Sequence, residues 1–239
     1  MPTLSTIMAT IFRGLADDPA RARSASDIAE HIRRAIASGD LAPNERLVEQ
    51  DLARDLNTNR SVIRAAFAHL EQQRLLVREP NRGVRVRTYT AQEAVEILET
   101  RAALEGLVAR CAAQRIDDAG KRALRSIIAE MRACHDSRDL LAYSQVNTKL
   151  HRIILEIANH ETATMLLSSL QSQAVRYQFR TVLQPGRIEQ SLSEHEAIVE
   201  AIVAHSEDGA ERAMRAHIGS VAQTVLAIGG KDLTALKAI

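Results

Sequence analysis

Between Asn57 and Gln73 the chain reads NTNRSVIRAAFAHLEQQ, and no other stretch restricts the possible folds so tightly. Read as a helix from Arg60, it places Ile63, Ala66, Phe67 and Leu70 at three- and four-residue spacing on one apolar face. Arg60, Ser61 and Arg64 fall on a different face near the N-terminus, with the two arginines one turn apart. Asn59 suits the N-cap, and Asn57 tolerates the left-handed backbone of a tight turn. A helix buried on one side and offering Arg, Ser and Arg at its start suits the DNA major groove. There arginine bonds guanine bidentately, and the first turn of the helix enters deepest. An ordinary amphipathic helix with two solvated arginines carries the same residues, so the flanks decide.

Upstream, Ser26 and Asp27 offer N-cap chemistry for a first helix. Ile28, Ile32, Ala35 and Ile36 give its buried face, and Gly39 ends it. SGDLAPNERL places Leu41 and Leu47 as anchors around Pro43. A second helix over about Glu49 to Leu56 buries Leu52, Ala53 and Leu56 before the turn into the opening stretch, giving helix, turn, helix. Downstream, Leu75–Arg78, then Pro80-Asn81-Arg82-Gly83, then Val84–Arg87 read as strand, turn, strand. Val84 and Val86 alternate with Arg85 and Arg87, so the strand has an apolar inner face and a basic outer one. A hairpin in this place is a wing. Its Arg82-Gly83 tip lets backbone and one cation approach a phosphate or the minor groove.

From Ala91 onward the period is helical throughout. Six segments run roughly 91–114, 117–136, 138–159, 161–183, 187–205 and 207–228. Breaks are expected at Ile116-Asp117, Ser137, Asn159-His160, Gln184-Pro185-Gly186 and Asp208-Gly209. Helices this long with short loops make an antiparallel all-α bundle. Aromatics are 3% of the chain and Trp is absent, so both cores must be built from Leu, Ile, Val and Ala, a palette that favours helix packing. Charge is uneven: residues 21–89 hold 13 Lys/Arg against 9 Asp/Glu, and residues 90–239 hold 17 against 19. A basic first part and a mildly acidic second part fit a DNA-binding module with a separate regulatory domain. The expected division is an N-terminal extension over 1–20, a winged helix-turn-helix over 21–89, a helical domain over 90–230 and a tail over 231–239. The extension carries Leu4, Ile7, Met8, Ile11, Phe12 and Leu15 as a short helical stripe. Cys111 and Cys134 lie in helical patterns without metal-like spacing, which fits a reducing compartment. No apolar run reaches a membrane span and the start lacks a secretory pattern, so a cytoplasmic protein with no membrane partner is expected.

IRRAIASGDLAPNERLVEQDLARDL, TNRSVIRAAFAHLEQQRLL and the EPNRGVRV wing together resemble the GntR family of bacterial transcription regulators, in the family's order. Asn57, Asn59, Ala65 and Arg74 depart from its usual Gly, Ser, Glu and Gly. The six helical segments resemble the FCD effector domain of the fatty-acid-regulator branch, in its six-helix vanillate-regulator form. The resemblance implies a dimeric repressor on an inverted-repeat, double-stranded operator, controlled by a small carboxylate, and no enzymatic activity. DNA contacts are expected from Gln50, Asn59, Arg60, Ser61, Arg64, Arg82 and Gly83.

Asn147 and His151 stand one turn apart on one helix face. With His195 and His217 they occupy the positions where the resembled domain places metal ligands, and Asn147 replaces its usual Asp. A divalent ion such as Zn or Ni is implied, held by three imidazoles and an amide oxygen that brings no charge. The effector site is expected to comprise these four residues and Arg101. The plainer reading of Arg101 is an exposed arginine paired with Glu105. Arg176, Tyr177 and Arg180 form a further polar patch that could line the same cavity. His31, His69, His135, His160 and His205 are read as ordinary surface or core histidines. Two rivals remain: a metal-dependent hydrolase, with Glu194 or Glu196 as its only candidate bases, and an architectural DNA binder without an effector.

Overall fold

A computed structural model describes residues 24–38, 40–79, 83–182 and 184–229. The N-terminal extension, Arg82 and the tail lie outside these residues, as do the side chains of Arg176, Tyr177 and Arg180. The chain divides into two compact units.

The first unit holds α1 (Ala25–Ser38), β1 (Arg46–Leu47), α2 (Glu49–Asp55), α3 (Arg60–Gln72), β2 (Leu76–Glu79) and β3 (Gly83–Val86). Helix α1 starts earlier than expected, because Ser24 rather than Ser26 or Asp27 caps it. The Asp27 backbone N–H donates to Ser24 Oγ at 3.1 Å, and the Ser24 N–H donates back to Asp27 Oδ2 at 3.3 Å. Asn57 takes the left-handed turn at φ 46°, as its residue type suggests. Ile63, Ala66, Phe67 and Leu70 are completely buried and pack with Ile28, Ile32, Leu52, Val84 and Val86 in one apolar core. Hydrophobic burial of this kind supplies most of what holds so small a unit together.

The hairpin forms, shifted by about one residue from the expected bounds, with Leu76 opposite Val86 and Glu79 opposite Gly83. Gly83 sits at φ 86°, a conformation open to glycine. The sequence reading missed a third strand. Arg46 and Leu47 pair antiparallel with Arg85 and Val84, giving the order β1-β3-β2. Two residues are too few to show alternation, and Leu47 alone reads as an anchor.

The second unit is an all-helical bundle of α4 (Ala91–Arg115), α5 (Asp118–Asp136), α6 (Leu140–Ala158), α7 (Glu161–Val182), α8 (Arg187–Val203) and α9 (Glu207–Gly229). Side-chain caps set the first three of the six starts. Thr90 and Glu93 form a capping box at α4, Asp117 caps α5 and Asp139 caps α6. Helix α4 packs along α9 and also meets α6 and α8. A Cβ at Gly106 would stand 2.7 Å from Arg215 Cγ, so α4 and α9 approach closely there. The last break does not fall at Asp208-Gly209. It falls before Glu207, where His205 is left-handed at φ 56° and its Nδ1 lies 2.9 Å from Ala113 O. Gly209 is helical instead, and a Cβ on it would meet Ser206 Oγ at 2.5 Å.

Candidate functional site

In the first unit, the start of α3 presents Arg60, Ser61 and Arg64 to solvent beside exposed Asn59, Gln50 and Gly83. Burial of Ile63, Ala66 and Phe67 fixes this orientation, since the opposite face is then turned outward. Asn59 occupies the N-cap with extended backbone, φ −82° and ψ 144°, but its side chain makes no capping hydrogen bond. Its amide group is therefore not used up by α3, and the expected capping bond is absent.

Glu49, in the first turn of α2, lies among the arginines. Its Oε2 accepts from Arg64 Nη2 at 3.2 Å and stands 3.7 Å from Arg60 Nη2. Its Oε1 is 3.4 Å from Arg78 Nη1, on β2, and Arg78 also pairs with Glu71 at 3.0 Å. Burial pushes the Glu49 carboxyl up, but the Arg64 and Arg78 guanidinium groups outweigh it and hold the group below its usual value. Arg64 thus has a carboxylate partner from another helix.

In the second unit, three imidazoles meet. His151 on α6, His195 on α8 and His217 on α9 each offer a ring nitrogen, all within 4.8 Å of one another. His151 Nε2 and His195 Nε2 are 3.3 Å apart. Two of the outer nitrogens face carboxylates: Glu105 Oε2 lies 2.7 Å from His151 Nδ1, and Glu194 Oε2 lies 2.7 Å from His217 Nδ1. Ser191 Oγ is 3.2 Å from His195 Nδ1. With the ring proton assigned to Nδ1 of His151 and His217, their Nε2 lone pairs turn inward. His195 and His217 are deeply buried. Burial and the neighbouring histidines push His195 well below its usual value, and burial, His151 and Arg187 do the same for His217. Neutral imidazoles backed by carboxylates are the donor set that a borderline divalent ion such as Zn²⁺ or Ni²⁺ takes, so these residues fit such an ion.

Arg101 is 4% exposed, so the plain surface reading of it falls. Its Nε and Nη2 donate to Glu105 Oε1 at 2.9 and 2.6 Å, and that same carboxylate holds His151. Burial alone would raise Glu105, but the Arg101 guanidinium and the hydrogen bond with His151 Nδ1 hold it well below the carboxylate range.

A different arginine lines the cavity beside the histidines. This small space, about 30 Å³, is lined by Tyr143, Asn147, His151, Thr181, Arg187 and His217, among others. It has room for about one water. Among the described residues, the Tyr143 hydroxyl, Asn147 Oδ1 and the Nε and Nη1 of Arg187 are buried there without a hydrogen-bond partner. Arg187 is held by Glu194 Oε2 at 3.0 Å. Burial pushes the Tyr143 hydroxyl up to about 12, which keeps it neutral. Tyr143, Arg187, Ser191 and the orienting roles of Glu105 and Glu194 toward the histidines were not read from the sequence, although the pairing of Glu105 with Arg101 was. The spacing held a signal: Arg187, Ser191, Glu194 and His195 share one face of α8.

Residues 24–86 match the description "Bacterial regulatory proteins, gntR family", and residues 96–220 match "FCD domain". The chain belongs to the GntR family of bacterial regulatory proteins. As a GntR protein it is a DNA-binding transcriptional regulator, and the hydrolase rival falls with that assignment. Consistently, Glu194 is spent on His217 and Arg187, and Glu196 on Arg132 at 2.6 Å. The HTH-type transcriptional repressor RspR of Escherichia coli is 25% identical over 194 residues, 81% of this chain and 85% of that protein. A second Escherichia coli protein, whose name ties it to regulation of an L-lactate dehydrogenase operon, is 27% identical over 230 residues, 85% of this chain and 86% of its own length. The solved structure of E. coli McbR/YncC shares the fold at a TM-score of 0.70 and 16% identity, covering 88% of this chain and 99% of that one. Among the described residues no helix is long and apolar enough to cross a membrane.

Proposed function

We propose that this regulator is a repressor that binds an inverted-repeat operator as a dimer and releases it when a small carboxylate enters the second unit. Arg60, Ser61 and Arg64 meet base edges and phosphates, Gln50 and Asn59 support them, and the Arg82-Gly83 tip touches the backbone. In the bundle, His151, His195 and His217 hold a divalent ion with Asn147 Oδ1 as an uncharged fourth donor. When bound, that ion supplies positive charge and open coordination positions to an anionic ligand.

The observation that carries this reading is the meeting of three imidazoles beside a cavity on which three side chains, Tyr143, Asn147 and Arg187, hold buried polar atoms without a hydrogen-bond partner. A buried guanidinium with unmade hydrogen bonds is costly unless a ligand or water completes them. Arg187 supplies unmade N–H donors and Glu194 fixes its position, so it binds the carboxylate once the cavity, which holds about one water as it stands, widens to admit it. Arg101 acts at one remove, by keeping Glu105 charged and His151 oriented. The name of the lactate-operon relative makes L-lactate the first acid to try.

Elemental analysis of wild type and His195→Ala, paired with operator release by a panel of acids, tests the reading. Wild type is expected to carry metal and to release DNA. His195→Ala is expected to lose both properties and keep operator binding. Asn147→Asp adds a charged oxygen donor and should tighten metal binding. A metal-free wild type that still answers an acid would leave the histidines as direct partners of the effector.

A further inference from the structure

We propose that Glu49 is a specificity-determining positioning residue of the DNA-reading surface. It holds Arg64 and Arg78 in place and withholds cations from indiscriminate phosphate binding. The proposal rests on the reading of α3 as the helix that meets DNA.

Placement is the first argument. Glu49 is 14% exposed, whereas its partners Arg60, Arg64 and Arg78 are 60%, 61% and 45% exposed. One carboxylate from α2 thus sits beneath three cations that arise from two other elements, α3 and the wing strand β2. A hollow of about 200 Å³ opens at the same place, lined by Arg46, Glu49, Gln50, Arg60, Arg78 and Gly83 among others. Glu49 is the one acid in that lining.

Exchange energetics is the second argument. A carboxylate on a surface that approaches a polyanion is repelled, so its presence weakens every DNA complex. The loss is uneven between sequences. On an arbitrary duplex these arginines find only phosphate oxygens, and each trades one oxyanion for another with little gain. On a duplex with guanine at the right step, Arg64 gains paired bonds to O6 and N7 that a carboxylate swap does not match. Holding Arg64 by Glu49 also removes side-chain freedom before binding, which lowers the ordering cost of the one correct contact. Glu49 therefore subtracts more from non-specific than from specific binding.

The test uses the full chain, a duplex enriched by wild-type protein from a random pool, and a shuffled duplex of equal length. Both are titrated at several salt concentrations. Glu49→Gln keeps the shape and removes the charge, and thermal melting confirms that it folds. We expect Glu49→Gln to bind the shuffled duplex more tightly, with a salt dependence steeper by about one charge per subunit. The ratio of enriched to shuffled affinity should fall by about fivefold or more. Glu49→Asp, which retains the charge, should keep the wild-type salt slope on the shuffled duplex. An unchanged or larger ratio in Glu49→Gln overturns the proposal. Arg64→Ala separates this from failure of the underlying reading. If Arg64→Ala weakens the enriched duplex while Glu49→Gln leaves the ratio alone, only the Glu49 proposal is lost. If Arg64→Ala binds like wild type, both fall.

Discussion

Arg101 and Arg187 show how burial changes what a charged residue is worth. Arg101 paired with Glu105 four residues on would contribute a few tenths of a kcal/mol on an exposed helix, roughly 0.2–0.5 kcal/mol. Here both side chains are under a tenth exposed, at 5% and 7%, and the shared carboxylate also holds His151. Removing one partner of such a pair leaves an uncompensated buried charge, which costs about 3–5 kcal/mol. Arg101→Ala is therefore expected to lower unfolding stability by that amount in a urea titration. A loss below about 0.5 kcal/mol would return Arg101 to the surface-pair reading. Arg187 differs because, among the described residues, two of its nitrogens have no hydrogen-bond partner, and under the proposed function a ligand completes them.

At the scale of elements, the turn from α3 into β2 carries a conformational cost. Arg74 sits there at φ 59°, a left-handed backbone that residues with a Cβ adopt reluctantly. The turn is nonetheless closed, since Arg74 N–H reaches Glu71 O at 3.0 Å and the Tyr89 hydroxyl donates to Arg74 O. Arg74→Gly relieves the strain but gives the unfolded chain more freedom. The relief should win, with a gain within about 1 kcal/mol, read as a small rise in Tm. A drop in Tm would show that the arginine side chain contributes more than its backbone costs. Elements with a long period were legible in the sequence: α3 and the six bundle helices follow from apolar spacing and from Asp, Thr and Asn at their ends. Strand β1 was not, because its two residues pair only with Val84 and Arg85, remote in the chain. The segments ending at 205 and starting at 207 match α8 and α9, but the turn residues were placed at Asp208-Gly209, since a histidine in a left-handed turn has no local signature and a glycine has a strong one. The site divides in the same way. His151, His195 and His217 stood out from the other histidines only through the resemblance to the FCD domain, whereas Glu105 and Glu194 matter because α4, α6, α8 and α9 bring them against those rings.

For the whole molecule, the two units must be coupled if the proposed function holds, and thermodynamics sets the form of that coupling. The described residues place the arginines of α3 in one unit and the histidines in the other. Any effect of one site on the other is then a coupling free energy, and it is reciprocal. If a saturating acid weakens operator binding by a given factor, saturating operator must weaken acid binding by that same factor. Typical couplings of about 1–3 kcal/mol correspond to roughly 5–150-fold, well within measurable range. The acid that releases operator most strongly should be titrated into wild-type protein alone and into its operator complex, by calorimetry at one fixed salt concentration, because DNA affinity depends steeply on salt. The ratio of the two acid affinities is expected to equal the ratio of operator affinities with and without acid. Equal acid affinity in both titrations, alongside acid-driven operator release, would mean that the acid acts elsewhere than the bundle cavity. In that case Arg187→Gln would leave release intact, whereas an acid bound at the cavity requires release to fail in that variant.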